Sequence, residues 1–191
     1  RRDWSRLLDD LGRALKLNAK RAWTHAWQGL ALLRLGRPLE ARRALSRARA
    51  LDPRHAWALA WQAEASWACG DGARALSQAG QARRLDPACS DAHGLEARIY
   101  QSLGRPEAAL KCLDRLLRRD PRSAWALCWK AELQLKLKRP RPAALLLDRA
   151  LALHPAYADG YFWRAEAHRA LGRLEDALQD IERALALRRD H

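Results

Sequence analysis

Residues 56–89 read AWALAWQAEASWACGDGARALSQAGQARRLDPAC. An Ala-, Leu- and Trp-rich stretch with apolar residues at helical spacing stops at Gly70, a second Ala- and Arg-rich stretch follows, and Asp86-Pro87 ends it. The phrase recurs along the chain. Its closing prolines, Pro53, Pro87, Pro121 and Pro155, stand 34 residues apart in the phrases LDPR, LDPA, RDPR and LHPA. A fixed period of that length marks a helical repeat array. Phasing on it predicts one array over 1–191, with a partial unit at 1–21 and full units at 22–55, 56–89, 90–123, 124–157 and 158–191.

Small residues fall in columns, as close helix packing requires. Gly29, Ala63, Ala97, Ala131 and Ala165 form one column, and Ala41, Ala75, Ala109, Ala143 and Ala177 another. Ala48, Ala82, Ala150 and Ala184 form a third, with Leu116 in the middle unit. Gly36, Gly70, Gly104 and Gly172 mark the turn between the two helices, where the chain needs positive φ, and Lys138 is the exception. Pro38, Pro106 and Pro140 open the second helix, where a missing N–H costs nothing. One helical hairpin cannot bury its apolar face alone, so stability must come from stacked neighbours.

In its length, its early Gly or Ala, its Ala in the second helix and its closing Pro, the unit resembles the tetratricopeptide repeat. All five full units match, and the partial one fits from Trp4 to Leu17. The resemblance implies an all-α, right-handed superhelical solenoid of helix-turn-helix repeats whose first helices line a concave surface. It also implies a scaffold for protein partners. The aromatic usual at the fourth position is present only as Tyr161, the column otherwise holding His25, Leu59, His93 and Leu127. Family members that clamp a peptide's terminal carboxylate carry lysine at the fifth position and asparagine at the ninth. Here Ala26, Ala60, Gly94, Cys128 and Phe162 occupy the fifth, and Leu30, Glu64, Arg98, Glu132 and Glu166 the ninth, so that clamp is absent.

Aromatics concentrate instead at the second and sixth positions. Trp23 and Trp27, Trp57 and Trp61, and Trp125 and Trp129 are each four residues apart and share a helix face. Trp163 continues the sixth-position column and Trp67 adds a ring at the twelfth. With Glu64, Arg98, Glu132 and Glu166 beside them, these residues are the candidate partner-binding surface. Tryptophan buries a large area while keeping one donor, which suits an extended protein or peptide segment, proline-rich or cationic. The competing reading is that the indoles pack between adjacent first helices.

Net charge is +14, from 36 Lys and Arg against 22 Asp and Glu. Arg13, Arg47, Arg115, Arg149 and Arg183 share one column on the second helices. Such a row either tracks a phosphate backbone or is a solvated convex face, and no aromatics interleave with it as single-strand binders prefer. The nucleic-acid reading therefore ranks below the peptide groove.

The sequence carries no phosphate loop, HExxH or nucleophile elbow, and Cys69, Cys89, Cys112 and Cys128 form no CxxC pair. No catalytic residue, metal site or cofactor is expected within the chain. A further alternative makes the array the regulatory or substrate-docking arm of a glycosyltransferase- or kinase-like enzyme. Unpaired cysteines fit a reducing, cytoplasmic setting, and no membrane-length apolar run is present. The chain opens at Arg1 partway through a unit, contains no methionine and ends on a second helix without a polar cap. This pattern predicts an excerpt of a longer array with ends prone to self-association, the alternative being an array capped by its own dimer.

Overall fold

The computed structural model describes residues 2–189, and its secondary structure is entirely helical among them. The helices are α1 (Arg2–Leu17), α2 (Ala22–Arg34), α3 (Pro38–Leu51), α4 (Ala56–Ala68), α5 (Gly72–Leu85) and α6 (Ser90–Ser102). They continue as α7 (Pro106–Arg119), α8 (Ala124–Lys136), α9 (Pro140–Leu153), α10 (Ala158–Ala170) and α11 (Leu174–Arg189). Packing is sequential: α2 pairs with α3, α4 with α5, α8 with α9 and α10 with α11. The chain divides into two compact units, Arg1–Gly104 and Arg105–His191. In the first, Leu45, Leu59 and Ile99 are fully buried; in the second, Leu113, Leu127, Leu133 and Leu147 are.

The punctuation residues do what their backbone chemistry dictates. Gly36, Gly70, Gly104 and Gly172 take φ of 75°, 83°, 68° and 77°. Lys138, in the same place of its repeat, is forced to φ 56°. The turn is the same despite the substitution: Arg139 N–H reaches Gln134 O at 2.9 Å, as Arg37 reaches Leu32 O at 2.9 Å. These six-residue bonds consume carbonyls that the ending helix leaves open. Pro38, Pro106 and Pro140 open α3, α7 and α9. At α5, which lacks the proline, the Asp71 carboxylate caps the helix by accepting from Arg74 N–H at 3.1 Å.

The Asp of each Asp-Pro pair closes a tight turn across the proline. Asp52, Asp86 and Asp120 accept from the backbone N–H groups of Arg54, Ala88 and Arg122 at 3.0, 2.8 and 3.2 Å. Small-residue columns mark real contact. Ala41, Ala75, Ala109 and Ala143 have no exposed surface. A Cβ on Gly29 would stand 2.3 Å from Leu45 Cγ, so α2 and α3 approach there only because the side chain is absent.

Candidate functional site

In the first unit, four of the expected tryptophans form a continuous aromatic cluster across α2 and α4. Trp23 and Trp57 have ring centroids 5.1 Å apart, Trp27 and Trp57 5.2 Å, and Trp57 and Trp61 5.9 Å. His55, which sequence reasoning did not include, joins them by stacking on Trp23 at 4.9 Å with planes 8° apart. Its place follows from a second role: His55 Nδ1 accepts from Ala58 N–H at 3.3 Å and caps α4. That bond requires a neutral imidazole, and burial holds the His55 pKa below its ordinary value against the opposing pull of Asp52.

The indoles differ in how far they are covered. Trp23 is 55% exposed, whereas Trp57 and Trp61 are half-buried against the core built on Leu45, Ala48, Ala58 and Ala65. Trp67 is not part of the cluster. It packs at the α4–α5 turn, where a Cβ on Gly72 would lie 3.1 Å from its ring, and against the Ala75, Ala79 and Ile99 core.

Charged groups complete the face shared by α2, α4 and α6. The Arg34 guanidinium sits over the Trp61 ring at 5.2 Å from its centroid. The Trp57 indole lies beside the carboxylate of Asp91, whose pKa is raised by burial despite that neighbour and the nearby Arg34 charge. Arg98 on α6 pairs with Glu64 on α4, an interhelical contact. Trp61 Nε1 is buried and has no hydrogen-bond partner among the described residues.

In the second unit Trp125 and Trp129 lie 6.1 Å apart, and Trp163 packs edge-on to Phe162 at 5.2 Å. Trp125 is 40% exposed and borders a cavity of about 310 Å³ with Leu153, His154 and Tyr157. Among the described residues, Glu132 and Glu166 do not bridge helices there. They pair locally with Lys136 at 2.6 Å and Arg169 at 2.8 Å, contacts of small stabilising effect on an exposed helix.

Other polar residues serve structure. His25 and His93 sit at 2.9 and 3.0 Å from the carbonyls of Ala19 and Pro87, six residues back, tying the preceding loop to α2 and α6. All four cysteines are free thiols, and burial pushes Cys128 up to about 12. A further network lay outside the sequence reading: in α4, α6, α8 and α10 the seventh residue of the repeat latches onto the preceding second helix, and in α10 also onto α11. Gln62 donates to Ser46 Oγ and accepts from Arg49, both at 2.7 Å. Glu96 pairs with Arg83 at 3.3 Å, Lys130 with Asp114 at 2.6 Å, and Arg164 with Asp148 and Asp180 at 2.9 and 2.7 Å. Its signal was legible, since the column Gln28, Gln62, Glu96, Lys130 and Arg164 is polar throughout while its neighbours are small or apolar.

Family profiles described as Tetratricopeptide repeat match residues 32–99, 66–133 and 158–191. The chain belongs to the tetratricopeptide repeat family, and its all-α fold is that of a helix-turn-helix repeat array. MamA from Desulfovibrio magneticus RS-1 superposes with a TM-score of 0.72 at 18% identity, over 89% of this chain and 96% of that one. Pseudomonas aeruginosa pilF gives 0.79 at 18% identity, over 86% and 75%. YrrB, described as a TPR protein with an unusual peptide-binding site, gives 0.64 at 17% identity, over 95% and 93%. No curated protein matches by sequence. Among the described residues, no helix is long and apolar enough to cross a membrane.

Proposed function

We propose that the chain is a protein-interaction scaffold and that its tryptophan-lined face on α2, α4 and α6 takes an extended, proline-rich or apolar peptide segment. The observation that carries this reading is the Trp23, Trp27, His55, Trp57 and Trp61 cluster, in which an exposed ring rests on a tier of rings anchored in the core. Rigid aromatics with one open face are what binding hot spots use. The charges narrow the occupant. Arg34 already covers the Trp61 ring and Arg98 already meets Glu64, so the cationic positions are filled from within the chain. An apolar or proline segment across Trp23 displaces neither. YrrB's described peptide site and the shared fold favour the same reading. The test is selection from a displayed proline-rich peptide library, followed by titration of the winners into Trp23→Ala. Loss of about 2 kcal/mol or more of binding with unchanged helicity supports the groove; equal affinity for both proteins contradicts it.

A further inference from the structure

In the second unit, α7, α8 and α9 border a cleft of about 560 Å³ lined by Lys111, Arg115, Arg118, Lys130 and Arg149, with Asp114 and a wall of leucines and no tryptophan among the lining residues. Five cations therefore face one carboxylate, and Lys130 takes that carboxylate at 2.6 Å. Lys111 and Arg118 are exposed and have no ion pair among the described residues. Two of the remaining cations are held in place by hydrogen bonds: Arg149 donates to Pro121 O at 2.9 Å and Arg115 to Cys112 Sγ at 3.0 Å. The repeat does not impose this imbalance. One repeat on, the matching positions carry Arg149, Arg164 and Arg183 with Asp148 and Asp180, and both carboxylates hold Arg164.

Between the cations the cleft is apolar: Leu127 is fully buried and Leu117 and Leu146 half-buried, with no aromatic ring among the lining residues. A nucleobase would find no stacking partner there. A leucine-sized side chain flanked by carboxylates meets both the wall and the rim. We propose that the Lys111–Arg149 cleft is a second docking site, for an acidic peptide segment with an apolar anchor, separate from the tryptophan face. Positive potential over the rim would speed encounter, and the leucine wall would select for the anchor.

The test uses the full chain and a short fluorescein-labelled peptide of glutamate and leucine, followed by anisotropy, beside an all-glutamate peptide and an oligothymidylate. The expected result is salt-sensitive binding of the glutamate–leucine peptide, several-fold tighter than the all-glutamate one. Lys111→Glu with Arg118→Glu should weaken it at least about tenfold, since a reversed charge at the rim repels the peptide. The milder Lys111→Gln with Arg118→Gln keeps the test valid should charge reversal disturb folding, and Trp23→Ala should bind this peptide normally. The proposal is overturned by absent binding, by equal affinity for the two peptides, by indifference to the rim variants, or by an oligothymidylate that binds more tightly at the same residues. Because Trp23 and Lys111 are varied independently, failure here leaves the tryptophan reading standing, and the converse holds.

Discussion

Lys138 is the residue whose local chemistry most plainly conflicts with its position. It adopts φ 56° where four sister turns use glycine, and a side chain in the left-handed region costs about 1 kcal/mol or more. Lys138→Gly should therefore raise stability by about 0.5–1 kcal/mol in urea unfolding even though glycine gains unfolded-state entropy; a loss of stability would show that the lysine makes compensating contacts. His55 gives a pH-dependent expectation. Its folded pKa lies below the unfolded value, so the unfolded chain binds the extra proton and stability falls as pH drops through the ordinary histidine range. Urea unfolding at mildly alkaline and mildly acidic pH should reveal that loss, and His55→Asn, which keeps an N-cap acceptor without a titrating ring, should reduce it. The turn glycines, helix-opening prolines and Asp-Pro stops were legible in the sequence because each acts through its own φ or its own hydrogen bond. The double duty of His55 was not, because it depends on Trp23 arriving from another helix.

At the scale of the element, nearly identical helices must stack in one order, and the seventh-position latches give each junction a different chemistry. An amide meets a hydroxyl at Gln62, a carboxylate meets arginine at Glu96, and the polarity reverses at Lys130 and Arg164. Arg164→Leu leaves Asp180, whose side chain is 6% exposed, without its bidentate partner and should cost about 3 kcal/mol in thermal or urea unfolding. The added change Asp180→Leu should recover most of that loss, since it is the orphaned charge that destabilises. A single variant as stable as the parent would mean that His168, 3.2 Å from the same carboxylate, suffices alone. Periodicity placed the helices in the sequence, but it could not say which side of each tryptophan was covered. Trp23 and Trp27 are one turn apart on the same helix and each lies within about 5 Å of Trp57, at 5.1 and 5.2 Å, yet Trp23 is exposed and Trp27 half-buried. Trp67 shows the same limit, its ring being claimed by Gly72 across the turn.

For the whole molecule, family membership and the helix-turn-helix fold were legible from the 34-residue period, because every repeat must solve the same packing problem and does so with the same small residues. Function is written less redundantly. The aromatic cluster is confined to the repeats at α2 and α4, the basic cleft to α7, α8 and α9, and neither follows from the repeat itself. If both proposals hold, the array takes two segments of unlike chemistry, one proline-rich or apolar and one acidic. The claim that the tryptophan face is a binding surface is tested most directly by nitrogen-15 correlation spectra of the indole N–H groups, recorded while a selected proline-rich peptide is titrated into the intact chain. The account predicts that the signals of Trp23, Trp27, Trp57 and Trp61 shift in step with binding while Trp67 does not, and that Trp23→Ala removes the response. Peptides that bind without moving those four signals would place the site elsewhere and contradict it.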